Sequence, residues 1–282
     1  IDRRKNANDV QGLFYESLIS GSELAGLVGD LVNKKKWDKA ADKLRSKIDK
    51  EYWEPKIGYY YDTIRRDGSK DDSIRPNPLI FVMTGAVSET EKIRSVLNRV
   101  EGEDVTTSWG IRTLSSLDPK YHPSLYHDGA VWPLVTGWAA ISEIMSSRTE
   151  KAVQYLSSMA DRILSENGMF AETYRGDRPE PFNSCILQAW SVGMYVYAFR
   201  ELMVGSKMNM IDNTVEINPQ IPESLRTNSM QITFDQYFHT NNGKRKIKIG
   251  IQPDRQRIVV NRIEGSGIMP EFLSSSYSVS TE

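Results

Sequence analysis

A single cysteine, Cys185, excludes an intrachain disulfide and any thiolate metal cluster. Three histidines, His122, His127 and His239, do not make a zinc signature. No apolar run approaches the roughly 20 residues that a membrane helix needs, and the opening IDRRKNAND is too polar for a signal peptide. An initiator methionine is missing, which reads as a chain trimmed, processed or incomplete at its N-terminus. Charge of one sign is also missing: 36 Lys+Arg against 37 Asp+Glu give a formal net charge of −1. That balance removes the electrostatic reason to expect nucleic acid or an anionic membrane as a partner. Neither GxxxxGK[ST] nor GxGxxG occurs, so no phosphate cradle is encoded. What is present is globular. A 39% hydrophobic, 26% charged chain of 282 residues can fold as one large domain or two ordinary ones.

Apolar residues recur at helical spacing over 9–28 (Val10, Leu13, Phe14, Leu18, Leu24, Leu27), with Asn8 or Asp9 as cap, and over 34–53 up to Pro55. GYYYDTIRRDGSKDD then reads as an irregular connection with a short hairpin at Asp67-Gly68. Further helices are expected over 77–87, 89–100, 130–146, 149–166 and 185–204. The last is apolar around most of its circumference, so it should be buried on most sides, with the Met and Tyr residues of 194–203 in the core. After residue 205 the period changes to two. TVEINP, MQITFDQYF, KRKIKIGI and RIVVNRI alternate apolar and polar residues, and Asn242-Gly243 signals a hairpin. The tail SSSYSVSTE reads as loose. Seven helices over 1–205 followed by a small antiparallel β region over 206–282 is the expected organisation.

Antiparallel helices joined by long aromatic loops place a site at one end of the helices, and long structureless loops in a compact domain are usually functional. Loops 102–129 and 167–184 hold Trp109, Arg112, Tyr121, His122, Tyr126, His127, Asp128, Glu172, Tyr174 and Asp177. Aromatics mixed with carboxylates and few lysines suit a neutral polyol, whose apolar faces stack on rings while its hydroxyls take hydrogen bonds.

Five ordered blocks carry a resemblance: VQGLFYESL (10–18), DDSIRPNPLI (71–80), WGIRTLSSLDPKYHP (109–123), YHDGAVWPLVTGW (126–138) and FAETYRGD…CILQAWSV (170–192). Over roughly residues 8–204 the sequence resembles the C-terminal amylo-α-1,6-glucosidase domain of glycogen debranching enzymes. The resemblance implies an (α/α)6 toroid, shared with glucoamylases and trehalases, of which this chain supplies about helices 6–12. It implies inverting hydrolysis of α-1,6-linked glucose in a glycogen-like α-glucan, no metal or organic cofactor, and a cytoplasmic setting. Inversion uses a general acid and a general base roughly 6.5–9.5 Å apart, with the attacking water between them. In related toroids the base lies between the last two helices, which assigns it to Glu172. The family's acid is an aspartate in a Trp-Met-Asp context upstream of the VQGLFY-like helix. Asp2 does not match that context, so the acid and the upstream half of the ring are expected from elsewhere, in cis or as a second chain.

The remaining candidates carry two readings each. Arg75 and Asn77 either contact sugar or anchor a loop through carbonyls. His127 and Trp132 form the floor of the glucose site or are satisfied within the fold. Trp109 and Tyr126 are sugar platforms or core aromatics. Gln188 and Trp190 hold the Glu172 loop. Asp9 accepts a substrate hydroxyl or caps a helix, and Asp128, grouped with the sugar contacts, is the best acid candidate inside this chain, although its family neighbours argue against that role. Alternatives at the level of function are another toroidal α-glycosidase, a disaccharide phosphorylase using Arg175 and Arg178, and a non-catalytic carbohydrate-binding half-domain.

Overall fold

The computed structural model describes residues 6–166, 168–182, 184–209, 214–226, 231–240, 243–253, 258–264, 271–273 and 279–280. The chain divides into two compact units, residues 1–146 with 152–195, and residues 147–151 with 196–282.

In the first unit, α1 (Asn8–Leu27) and α2 (Leu31–Lys47) form an antiparallel pair joined at Gly29, whose φ of 76° only glycine adopts readily. Asp30 caps α2 by accepting from the Asn33 amide at 3.0 Å. The cap of α1 differs from expectation. Ala7 holds that position, fixed by pairing of β1 (Asn6–Ala7) with β4 (Thr63–Ile64), while Asn8 and Asp9 lie inside the first turn. The packed face of α1 differs too. Gly12, Tyr15, Leu18, Ser22 and Ala25 are buried, whereas Val10, Leu13, Phe14, Leu24 and Leu27 are each more than half exposed. Gly12 allows α1 to touch α3 (Leu79–Met83): an added Cβ would stand 2.8 Å from Ile80 Cγ2.

Helix α3 is shorter than its apolar run. Pro76 and Pro78 precede it, and Gly85, at φ 66°, ends it. A π-turn (Ile48–Tyr52) closes α2 and leads into the pairs β2 (Trp53–Glu54) with β3 (Tyr59–Tyr60) and β4 with β5 (Lys70–Asp71); the latter is the hairpin around Gly68. Helix α4 (Thr90–Val100) follows, then the two-residue strands β6 (Thr106–Thr107) and β7 (Gly110–Ile111). Helix α5 (Pro133–Met145) begins at Pro133, three residues later than expected, because Val131 is spent on a β-bridge. Helix α6 (Thr149–Ser165) buries Ala152, Tyr155, Leu156 and Met159.

Helix α7 (Ala189–Met203) starts four residues late, since residues 185–188 bond to the preceding loop instead of coiling. It is also less covered than its composition implies. Ala198, Leu202 and Met203 are buried, but Val196, Tyr197 and Phe199 are exposed. Gly137 of α5 sits where an added Cβ would meet Met194 Cγ at 2.2 Å, so these helices approach closely.

The second unit holds two sheets. Strand β9 (Thr214–Ile217) pairs antiparallel with β8 (Ser206–Asn209) and parallel with β13 (Glu271–Leu273). Strand β10 (Ile232–Thr240) pairs antiparallel with β11 (Gly243–Pro253), which pairs antiparallel with β12 (Ile258–Glu264). Gly243 lies opposite Thr240; Asn242, named in the hairpin signal, lies outside the described residues. Of the tail, Val279–Ser280 is described, and as β14 it pairs parallel with β12. No helix among the described residues is long and apolar enough to cross a membrane.

Candidate active site

The motif blocks are distant in sequence and meet across a short antiparallel ladder. Arg112 bridges Val131, Val131 bridges Tyr174, and Tyr174 bridges Pro181. Val131 and Tyr174 exchange two backbone hydrogen bonds of 2.9 Å. With Ala171 they are fully buried, and Trp109 packs against the three. Arg112 Nε donates to the Gly176 carbonyl at 2.7 Å, and Trp109 Nε1 donates to the Arg175 carbonyl at 3.0 Å. Two glycines make this approach possible. Gly129 has φ 151°, and a Cβ there would lie 2.3 Å from the His122 carbonyl oxygen. A Cβ on Gly176 would lie 2.2 Å from the Gly129 oxygen. Sequence reading did not single out either glycine; their only signal is the turn dipeptides Asp-Gly and Arg-Gly within the motifs.

Above this ladder stands Glu172. Its amide donates to the Cys185 carbonyl at 2.7 Å, and Gln188 N donates to the Phe170 carbonyl at 2.9 Å, so the segment before α7 clamps the loop. The carboxylate accepts a 2.5 Å hydrogen bond at Oε1 from the Tyr126 hydroxyl. Burial, then that bond and the carboxylate's charge, push the Tyr126 phenol up to about 12, so it is a neutral donor near neutral pH. Around the pair lies an aromatic wall. Tyr126 meets Trp132 edge-on at 4.6 Å and His127 at 4.8 Å; His127 stacks on Trp132 at 6.0 Å; Trp190 lies 6.1 Å beyond. His127 and Trp190 are exposed, so the wall has an open face.

Arg75 and Asn77 belong to a buried network beside the wall. Arg75 is 4% exposed. It donates through Nη1 to the carbonyls of Thr113 at 3.1 Å and His127 at 2.5 Å, and through Nη2 to Asp128 at 2.5 Å. Asn77 Nδ2 donates to Asp62 Oδ1 at 2.8 Å, and Arg75 Nε lies 3.6 Å from Asp62 Oδ2. These groups hold the 126–129 turn from behind. Asp62, in the aromatic run 58–62, is a site-supporting residue that sequence reading did not single out. The network continues to α1, where Asn8 N donates to the Asp62 carbonyl at 3.0 Å and Asp9 follows on the first turn. Tyr174, grouped with the loop candidates from sequence, is core: its hydroxyl donates to Glu166 at 2.8 Å.

The loop carrying Trp109 is itself anchored. Arg99 at the end of α4 grips Asp104 with two bonds, 2.9 and 2.7 Å, and the Ser115 hydroxyl donates to the same carboxylate. Burial raises the Asp104 carboxyl, but these partners outweigh it and hold the group below the usual carboxylate range. A carboxyl lowered on folding adds stability above its unfolded pKa, about 3.9, and loses it as pH falls through the folded value. Asp104→Asn is therefore expected to melt below the wild type at about pH 7, with the gap closing toward about pH 2. Melting curves across that range check it; a gap that does not narrow would refute the assignment.

Among the described residues no group of three or more His, Cys, Asp or Glu side chains could hold a metal ion. Residues 2–197 match the GDE_C family model, whose description is amylo-alpha-1,6-glucosidase. The chain belongs to the amylo-alpha-1,6-glucosidase family. Among solved structures, this family member is similar to a sialidase (TM-score 0.71, 14% identity, 91% of this chain and 25% of that one). It is similar to neutral trehalase Nth1 from Saccharomyces cerevisiae (0.56, 16%, 73% and 38%). It is also similar to the GH63 mannosylglycerate hydrolase from Thermus thermophilus, solved with glucose (0.57, 13%, 66% and 46%). These likenesses show the fold, that of the toroidal six-hairpin glycosidases. The chain spans a quarter of the sialidase and under half of the other two. No curated protein sequence gives a significant match.

Proposed function

We propose that the chain carries the general-base side of an inverting α-glucosidase site that removes α-1,6-linked glucose from branched α-glucans. The observation that carries this reading is the meeting of three motif blocks at Glu172, a fixed carboxylate beside an aromatic wall with an open face. The carboxylate accepts the proton of the attacking water, and the exposed His127 and Trp190 pack the sugar ring, with the buried Trp132 behind them. Asp128 is bound to Arg75, which supports the view that it is not the acid. The acid then comes from further helical chain, covalent or in trans. The exposed apolar stripe of α1 supports this, since leaving such surface in water costs roughly 25 cal/mol per Å².

A phosphorylase would need free cations near the anomeric carbon. Arg175 is bound to Asp177 at 2.8 and 2.9 Å and to the Ser124 hydroxyl, and Arg178 donates through Nε to Glu180, so both guanidinium groups are engaged with neighbouring side chains. The hydrolase reading is the better supported. The test is proton NMR of the full-length protein acting on an oligosaccharide with one α-1,6-linked glucose. The β-anomer should appear first and without added phosphate. Release of the α-anomer first, phosphate dependence, or binding without turnover would overturn the reading.

A further inference from the structure

Glu172 and Tyr126 come from different motif blocks, and each is held by its own backbone rather than by the other. Glu172 is pinned through the Cys185 carbonyl. Tyr126 is pinned by the Trp132 indole, whose Nε1 donates to the Tyr126 carbonyl at 3.0 Å, and the next carbonyl, of His127, takes Arg75 at 2.5 Å. The two side chains nevertheless meet at 2.5 Å, with the hydroxyl on Oε1. From sequence, Tyr126 reads either as a ring for a sugar to stack on or as a core aromatic. Its ring edge is packed on Trp132 and His127, and its hydroxyl is spent on the carboxylate.

Resting on the assignment of Glu172 as base, we infer that Tyr126 is a positioning residue, which fixes the Glu172 carboxylate by occupying Oε1 and leaves Oε2 as the oxygen that takes the proton of the attacking water.

A carboxylate free to rotate about its last bond would present either oxygen at varying angles, and misplacement by about 1 Å can cost on the order of 10²-fold in rate. Tyr126 removes one of the two oxygens from competition by holding it in a hydrogen bond. It does not deliver a proton itself.

The experiment is steady-state kinetics of the full-length protein. Tyr126→Phe keeps the ring and removes the hydroxyl. The expected result is a kcat lower by about 10–100-fold with KM changed less than about 3-fold. A raised KM with unchanged kcat would mean that Tyr126 contacts sugar, and both constants unchanged would mean that it only packs; either overturns the inference. Should Tyr126→Phe fold poorly, 3-fluorotyrosine at position 126 keeps the packing and makes the donor more acidic. Because the hydroxyl is kept, kcat should then stay within about 3-fold of wild type, and a loss of about 10-fold or more overturns the inference. Glu172→Gln separates the two readings. If that variant stays active, the base assignment has failed. If it is inactive while Tyr126→Phe behaves as wild type, only the inference about Tyr126 has failed.

Discussion

Glutamine at position 172 is expected to lower kcat by about 10²–10⁴-fold while leaving the melting temperature and KM close to wild type. The amide is nearly the shape of the carboxylate, and its oxygen can still accept from Tyr126, so the 2.5 Å contact survives. The backbone clamp to Cys185 does not involve the side chain at all. What is lost is the capacity to accept a proton from water. The aromatic wall proposed to pack the sugar is untouched, which separates this variant from one that binds less well. Turnover by the full-length protein and a thermal melt measure both halves of the statement. Full activity in the variant would remove Glu172 from the mechanism.

The second large effect is on stability, at Gly129. Alanine there has a Cβ 2.3 Å from the His122 carbonyl oxygen and 2.8 Å from the Tyr121 ring, with a φ of 151° that L-residues rarely adopt. The His122 carbonyl is backbone, and the backbone around it is bonded on both sides, since His122 N donates to the Asp128 carbonyl and Ala130 N to the Leu125 carbonyl. It cannot move without opening the turn that carries Tyr126, His127 and Asp128. Strain of about 1–3 kcal/mol and overpacking of about 1–3 kcal/mol add to a cost of roughly 3 kcal/mol or more. That corresponds to about 6–12 °C in Tm for a unit of this size. Differential scanning fluorimetry of Gly129→Ala decides it, and an unchanged Tm would show that the turn is not rigid.

Much of the fold was legible because helices announce themselves by period. The spans over 9–28, 89–100 and 149–166 are found nearly as read. Where the reading slipped, backbone bonding overrode composition. Residues 185–188 are apolar enough to extend α7, but their amides and carbonyls serve the Glu172 loop. The run 77–87 is cut to five residues by prolines and by Gly85. Strand β8, SKMN, lacks the branched residues that mark a strand, so only its neighbour β9 was visible. At the candidate site, residue types named loops that do meet in the fold but gave no directions. An arginine in SIRPNP reads equally as a sugar contact or an anchor, and only its buried bonds to two carbonyls and Asp128 show the second. A tyrosine shows its ring in the sequence, not where its hydroxyl points.

The ladder from Arg112 through Val131 and Tyr174 to Pro181 also bears on how the site is assembled in time. Its supporting bond from Arg112 to Gly176 spans 64 residues. Helices such as α4 and α6 gain their hydrogen bonds locally and early, whereas these bridges wait for long loops to close. The candidate site is therefore expected to be completed after the helical scaffold, and in native-state hydrogen exchange the amides of Val131 and Tyr174 are expected to open together. Heating would then disassemble the candidate site while helical ellipticity still persisted.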